Sequence, residues 1–176
     1  MRIIGGDLKG RRILAPKNLP VRPTTDFAKE ALFNVLNHKI SYSETTLLDL
    51  FSGTGNISYE FSSRGCTSIL AVEQNFQCLK YIKKTSSELE LPINTYKANV
   101  FKILAKKART SYSLIFADPP YENDLLTTLP DLVFENNWLV DQGILIVEHG
   151  PHTSFKEHKN FVDQRSYGHV NFSFFE

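Results

Sequence analysis

The chain has 176 residues and a net charge of +1, with 41% hydrophobic and 22% charged residues. That is enough chain for one hydrophobic core and too little for two ordinary domains, and the composition is that of a soluble globular protein, not a disordered one. The longest apolar runs, such as Gly143–Val147, fall far short of a membrane span, and MRIIGGDLKGRR at the start has no apolar stretch ahead of a cleavage site, so neither a membrane protein nor a secretory leader is expected.

Cys66 and Cys78 lack a CxxC spacing, which suggests neither zinc nor a disulfide framework and fits a reducing, cytoplasmic setting. No histidine spacing suggests a metal. The charge is unevenly spread. Residues 1–30 carry seven Lys/Arg against three acids, and residues 80–109 carry eight against Glu88 and Glu90. Residues 113–149 carry seven acids and no Lys/Arg, so the molecule is expected to be polarised, with basic surface from its first half.

In chain order, Ile3-Ile4 and Ile13-Leu14 read as two short strands joined by a turn containing Gly5, Gly6 and Gly10. In RPTTDFAKEALFNVL, Thr24, Thr25 and Asp26 are N-cap candidates, and Phe27, Ala31, Leu32, Val35 and Leu36 recur at helical spacing, predicting a helix over 25–38. Strand and helix then alternate: strands over 46–51, 68–73, 93–98, 113–118 and 143–149, and helices over 56–64, 75–90, 100–108 and 123–136. This pattern implies a mostly parallel sheet covered on both faces. The tail, with alternating apolar residues around Gly168, reads as an antiparallel hairpin closing the sheet edge. The layout is one domain over 1–176: an appendage over 1–38 and a core over 46–176.

Four features carry chemistry. The first is LLDLFSGTGN at 47–56. Open α/β sheets bind ligands beyond the carboxyl ends of their strands, where Asp49 lies. Gly53 and Gly55 let the backbone approach a ligand. Ser58 stands where a dinucleotide fingerprint has its third glycine, and no Gly-Lys-Ser/Thr follows, so neither that fingerprint nor a P-loop is present. A carboxylate before the loop repels pyrophosphate and suits a ligand with an amino group and a sulfonium. The second is Glu73, ending strand two, where a carboxylate can accept both hydroxyls of a ribose; nicotinamide enzymes and methyltransferases share this position. The third is Asn99, whose amide matches an adenine edge, although an Asn there is also a common cap.

The fourth is Asp118-Pro119-Pro120-Tyr121, ending strand four. An exocyclic amine on a base is a poor nucleophile because its lone pair is delocalised into the ring. Acceptors aimed at its hydrogens, here the Asp118 carboxylate and the Pro119 carbonyl, pull it towards a tetrahedral geometry. The prolines stiffen the loop, and Tyr121 can stack on an unstacked base.

These features reach the pattern of class I methyltransferases, in which [D/N]PP[Y/F] marks enzymes that methylate amino groups. RIIGG near the start, RPTTD at 22–26 with Lys29-Glu30, LDLFSGTG, and DPPY followed by NNWL at 136–139 together resemble the RsmD family, the bacterial 16S ribosomal RNA guanine-N2 methyltransferases, along essentially the whole chain. The resemblance implies a Rossmann-like fold with a seven-stranded mostly parallel sheet, and S-adenosylmethionine as cofactor. It implies a pocket lined by Asp49, Gly53, Gly55, Glu73 and Asn99, with Phe51, Val100 and Asp118 beside them. It implies that Asp118, Pro119 and Tyr121 serve the target base, and that Arg11, Arg12, Arg22, Thr24, Thr25 and Pro120 contact RNA. The expected partner is 16S ribosomal RNA in the small subunit, met by a monomer that needs no metal. A DNA adenine-N6 methyltransferase shares DPPY, but no target-recognition domain is evident here. A nicotinamide oxidoreductase gives DPPY no role, and a silent RNA-binding assembly factor on the same fold has no need of intact motifs.

Overall fold

The computed structural model describes residues 1–15 and 26–176. Seven strands, β1 (Thr46–Leu50), β2 (Ser68–Glu73), β3 (Ile93–Lys97), β4 (Tyr112–Ala117), β5 (Leu139–His149), β6 (Phe161–Tyr167) and β7 (Val170–Phe175), form one sheet in the order β3-β2-β1-β4-β5-β7-β6. β1 to β5 are mutually parallel, and β7 runs antiparallel to both β5 and β6. The helices are α1 (Asp26–Leu36), α2 (Asn56–Ser63), α3 (Phe76–Glu88), α4 (Val100–Leu104) and α5 (Leu129–Glu135). None is long and apolar enough to cross a membrane.

Successive strand residues face opposite sides of the sheet, so the strands feed two cores. Leu47, Leu114, Phe116, Ile146 and Phe172 pack with Leu32, Phe33 and Leu36 of α1 and Ile57 and Phe61 of α2. Leu48, Ile115, Leu145, Val147 and Phe175 pack on the other side with Val100 and Leu104 of α4 and Leu129 and Val133 of α5. Ile3, Ile13 and Tyr59 form a third cluster with Tyr81 of α3 and with Leu89, which caps it. That cluster fastens the N-terminal segment to the outside of the domain.

Three elements differ from expectation, each for a local reason. The two N-terminal strands shrink to one antiparallel bridge, Arg2 with Arg12. Residues 5–8 turn away from the hairpin to bond the end of α2 instead. The Asp7 amide donates to the Ser63 carbonyl at 2.7 Å, the Leu8 amide to Ser63 Oγ at 3.0 Å, and Ser63 Oγ to the Gly5 carbonyl at 2.6 Å. A Cβ on Gly6 would stand 1.8 Å from the Ser63 carbonyl oxygen, so this docking requires glycine. The helix expected over 100–108 stops at Leu104, whose carbonyl accepts from Asn136 Nδ2 at 2.9 Å and Trp138 Nε1 at 3.3 Å. The helix expected over 123–136 resolves into a 3-10 turn, Leu126–Thr128, then α5, with Pro130 in the first turn where its missing N–H costs nothing.

Candidate active site

Four strands end in a carboxylate at the same edge of the sheet. Asp49 lies in β1, Glu73 ends β2, Asp118 follows β4, and Glu148 is the penultimate residue of β5. This is the edge at which open α/β sheets bind ligands.

The loop after β1 makes a tight left-handed path. Phe51, Gly53 and Gly55 have φ of 58°, 52° and 83°. Left-handed backbone is unusual for a bulky residue such as Phe51, which rests on Phe101 at 5.6 Å between ring centres. Gly55 opens α2. A Cβ there would meet Ile82 and Tyr59 at 3.0 Å, so packing as well as backbone conformation calls for glycine.

Under this loop Asp49 is 1% exposed and accepts from Ser58 Oγ at 2.5 Å. Its carboxyl is pushed up to about 7: burial is the main cause, the charge of Glu73 adds to it, and the Ser58 hydrogen bonds oppose it. Glu73 is held rigidly, Oε2 accepting from the Gly53 amide at 3.0 Å and Oε1 from the Asn75 amide at 2.8 Å. A carboxylate oxygen has two acceptor sites, so each still has capacity for a ligand hydroxyl. Asn99 takes the cap role: its side-chain oxygen accepts from the Lys102 amide at 3.1 Å. Of the donor-and-acceptor pair expected to read an adenine, the acceptor is thus engaged within the protein. Val100 is buried beneath the first turn of α4.

Asp118 continues the ladder, its amide donating to the Leu50 carbonyl at 3.3 Å, which puts β1 and β4 chemistry side by side. Its carboxyl is held well above the ordinary range, first by burial, then by the charges of Glu148 and Asp49. Pro119 is buried, Pro120 is exposed, and Tyr121 is 41% exposed with its hydroxyl donating to Glu148 Oε1 at 2.8 Å.

Arg11 and Arg12 are exposed along a cleft of about 220 Å³ shared with Tyr81, Lys84 and Glu88. Arg22, Thr24 and Thr25 lie outside the described residues. Just beyond them, Lys29 is buried: its Nζ donates to the Arg2 carbonyl at 2.6 Å and Asn56 Oδ1 at 2.9 Å, and pairs with Glu60 Oε2 at 3.4 Å. Burial holds the Lys29 ammonium below its usual range, while Glu60 pulls the other way. Glu60 also accepts from the Ile4 amide and from Arg64, at 2.9 Å each. This network ties the N-terminal segment and α1 to the helix that opens at the glycine loop.

The family model described as Conserved hypothetical protein 95 matches residues 1–176. Ribosomal RNA small subunit methyltransferase D of Buchnera aphidicola subsp. Baizongia pistaciae is 35% identical over 150 residues, covering 84% of this chain and 75% of that protein. This chain belongs to the RsmD family. The solved structure of Escherichia coli yhhF is 28% identical, with a TM-score of 0.84 over 99% of this chain and 96% of that one. An RNA methyltransferase from Salinibacter ruber, solved with S-adenosyl-L-homocysteine, shares the fold at 13% identity and a TM-score of 0.66, over 88% of this chain and 92% of that one. The Rossmann-like sheet with its antiparallel terminal hairpin is therefore the methyltransferase fold expected of an RsmD chain.

Three residues around these carboxylates make contacts that the motifs alone do not show. Ser58, at the position of a fingerprint's third glycine, supports Asp49 with its hydroxyl. Lys29 belongs to the pattern that carries the family resemblance, and the partners Arg2, Asn56 and Glu60 account for its burial. Glu148 had a readable signal: it closes an apolar strand with a lone acid, as Asp49, Glu73 and Asp118 do.

Proposed function

We propose that this protein transfers the methyl group of S-adenosylmethionine to the exocyclic N2 amine of a guanine in 16S ribosomal RNA, within an assembled or nearly assembled small subunit. The reading is carried by one observation: Asp118-Pro119-Pro120-Tyr121 stands at the end of β4, hydrogen-bonded to β1 beside the glycine loop, with Tyr121 open to an incoming base. The relatives named for small-subunit ribosomal RNA support RNA over DNA. The choice of guanine N2 rests on the pairing of RPTTD with DPPY. We read 1–176 as one methyltransferase domain, acting as a monomer.

The donor set suits the cofactor. Glu73 offers acceptor capacity to ribose hydroxyls, and two acidic side chains, Asp49 and Asp118, lie close enough to interact electrostatically at a site that must hold a cation. S-adenosylmethionine supplies an electrophilic methyl carbon. The protein's residues act on the other partner. The Asp118 carboxylate and the Pro119 carbonyl accept the two hydrogens of the guanine amine, which turns its lone pair out of the ring plane. Tyr121 stacks on the base. As the amine gains its bond to carbon, its surplus proton leaves by way of Asp118 to solvent. Positioning and preorganised acceptors account for the acceleration.

The test is to incubate the protein and labelled cofactor with free ribosomal RNA, small subunits, or duplex DNA, and to digest the products to nucleosides. N2-methylguanosine from small subunits is expected. Label confined to DNA adenine would replace this reading with the adenine-N6 one. RNA binding without label in any substrate would leave an assembly factor.

A further inference from the structure

Glu148 is 3% exposed near the end of β5, and the chemistry above gives it no task. Its Oε1 accepts the Tyr121 hydroxyl at 2.8 Å. Two residues on, Gly150 makes room for the same ring: a Cβ there would stand 2.9 Å from Tyr121 Cδ2. Tyr121 belongs to the loop after β4, yet both ends of its ring are located by the terminus of β5. A buried carboxylate is costly unless hydrogen-bonded, so apolar packing alone does not account for a glutamate here. The phenol is under no such constraint. A phenol is neutral, and leaving it unpaired costs less than leaving a buried carboxylate unpaired. What the bond to Glu148 adds is a single orientation of the ring. Stacking a base needs one orientation, and fixing it beforehand removes an entropic cost from the step in which the base is bound.

We propose that Glu148 is a positioning residue: acting through the Tyr121 hydroxyl, with Gly150 as the seat of the ring, it holds Tyr121 as a fixed wall for the target base. The inference rests on the reading of Tyr121 as the base-facing residue.

The experiment measures kcat and KM on small subunits, together with cofactor Kd by calorimetry, for Tyr121→Ala, Tyr121→Phe, Glu148→Ala, Glu148→Gln, Gly150→Ala and the double variant Tyr121→Phe/Glu148→Ala. Hydrogen bonds to charged groups suggest that Tyr121→Phe and Glu148→Ala each lower kcat about tenfold. The double variant should fall no further than Glu148→Ala alone, because the Tyr121 hydroxyl has no carboxylate left to orient it there. Glu148→Gln keeps an acceptor and is expected to stay within about threefold of the parent on the plateau of its pH profile. Gly150→Ala displaces the ring with Glu148 intact and should also lower kcat. Cofactor Kd should stay constant throughout, which a merely structural disturbance would not allow.

Losses that multiply in the double variant overturn the proposal, as does loss of cofactor affinity in Tyr121→Phe. Tyr121→Phe removes a single oxygen and keeps the ring, so it decides the matter even if Glu148→Ala fails to fold: a parental rate there overturns the proposal. Tyr121→Ala separates the two levels. Full activity in Tyr121→Ala removes the base-facing reading itself. A crippled Tyr121→Ala beside a parental Tyr121→Phe removes only the role of Glu148.

Discussion

The two halves of the sheet edge treat their carboxylates differently. On the β1–β2 side, the protein's own donors hold the acids. Ser58 donates to Asp49, and the Gly53 and Asn75 amides donate to Glu73. On the β4–β5 side Tyr121 donates to Glu148, but no donor among the described residues meets the Asp118 carboxyl, on which the charges of Glu148 and Asp49 both bear. Asp118 and Glu148 follow the last paired residues of neighbouring strands, Ala117 and Val147, and the charge of Glu148 helps to push the Asp118 carboxyl up. The first arrangement keeps a shape ready for a ligand of fixed structure. The second leaves a carboxylate whose electrostatic stress an incoming amine can relieve. A cofactor pocket and an acceptor site built from the same residue types thus differ in how well those residues are satisfied beforehand.

The largest expected effect divides the halves most cleanly. Asp118→Ala should cut methylation on small subunits by about three orders of magnitude, the scale of losing a preorganised polar group at a reacting centre. Calorimetric cofactor affinity should change little. A variant that retains full activity removes Asp118 from the chemistry and erases the contrast. Asp49→Ala should show the opposite pattern, weakening cofactor binding by about tenfold or more, as for a lost charge-assisted contact in a buried site. Unchanged affinity would place the pocket elsewhere.

A smaller effect concerns protons on the cofactor side. The Asp49 carboxyl sits at about 7 in the free protein, so it is largely protonated at pH 6. A cationic ligand favours the carboxylate. Cofactor affinity should therefore rise with pH, by up to about tenfold per pH unit below 7, and level off above it. Asp49→Asn should flatten the profile. Calorimetry at pH 6 in buffers of different ionisation enthalpy should detect proton release on binding by the parent and none by the variant.

Much of this division was legible in the chain itself. LLDLFSGTGN placed Asp49 and the two glycines, because a carboxylate before a glycine turn is a local pattern and local geometry follows from it. SILAVE and SLIFAD likewise put Glu73 and Asp118 at strand ends. What sequence could not supply is pairing between segments distant in the chain. Nothing local links Tyr121 to a glutamate 27 residues later, or Lys29 to Asn56 and Glu60; those contacts exist only once β4 lies beside β5 and α1 beside α2. The N-terminal strands show the same limit in reverse. Ile3-Ile4 and Ile13-Leu14 around a glycine turn pointed to two strands, and the end of α2 took up the backbone groups between them.

The smallest expected effect tests whether the crowding on the β4–β5 side is real. The groups that act electrostatically on Asp118 are Glu148 on β5 and Asp49 on β1, and burial adds to both. If the carboxylate is the form that accepts the amine hydrogens, activity falls as pH drops through the raised value of Asp118. Glu148→Gln removes one like charge and keeps an acceptor for Tyr121. The Asp118 carboxyl should then ionise more readily, and the acid limb of kcat against pH should move to lower pH. Burial and Asp49 remain, so the limb should stay above the position of an ordinary carboxylic acid. Loss of the tyrosine anchor would instead lower the rate on the plateau and leave the limb in place, which distinguishes the two effects. An acid limb that stays in place in Glu148→Gln would mean that the two carboxylates do not feel each other, and that the acceptor side is as fully compensated as the cofactor side.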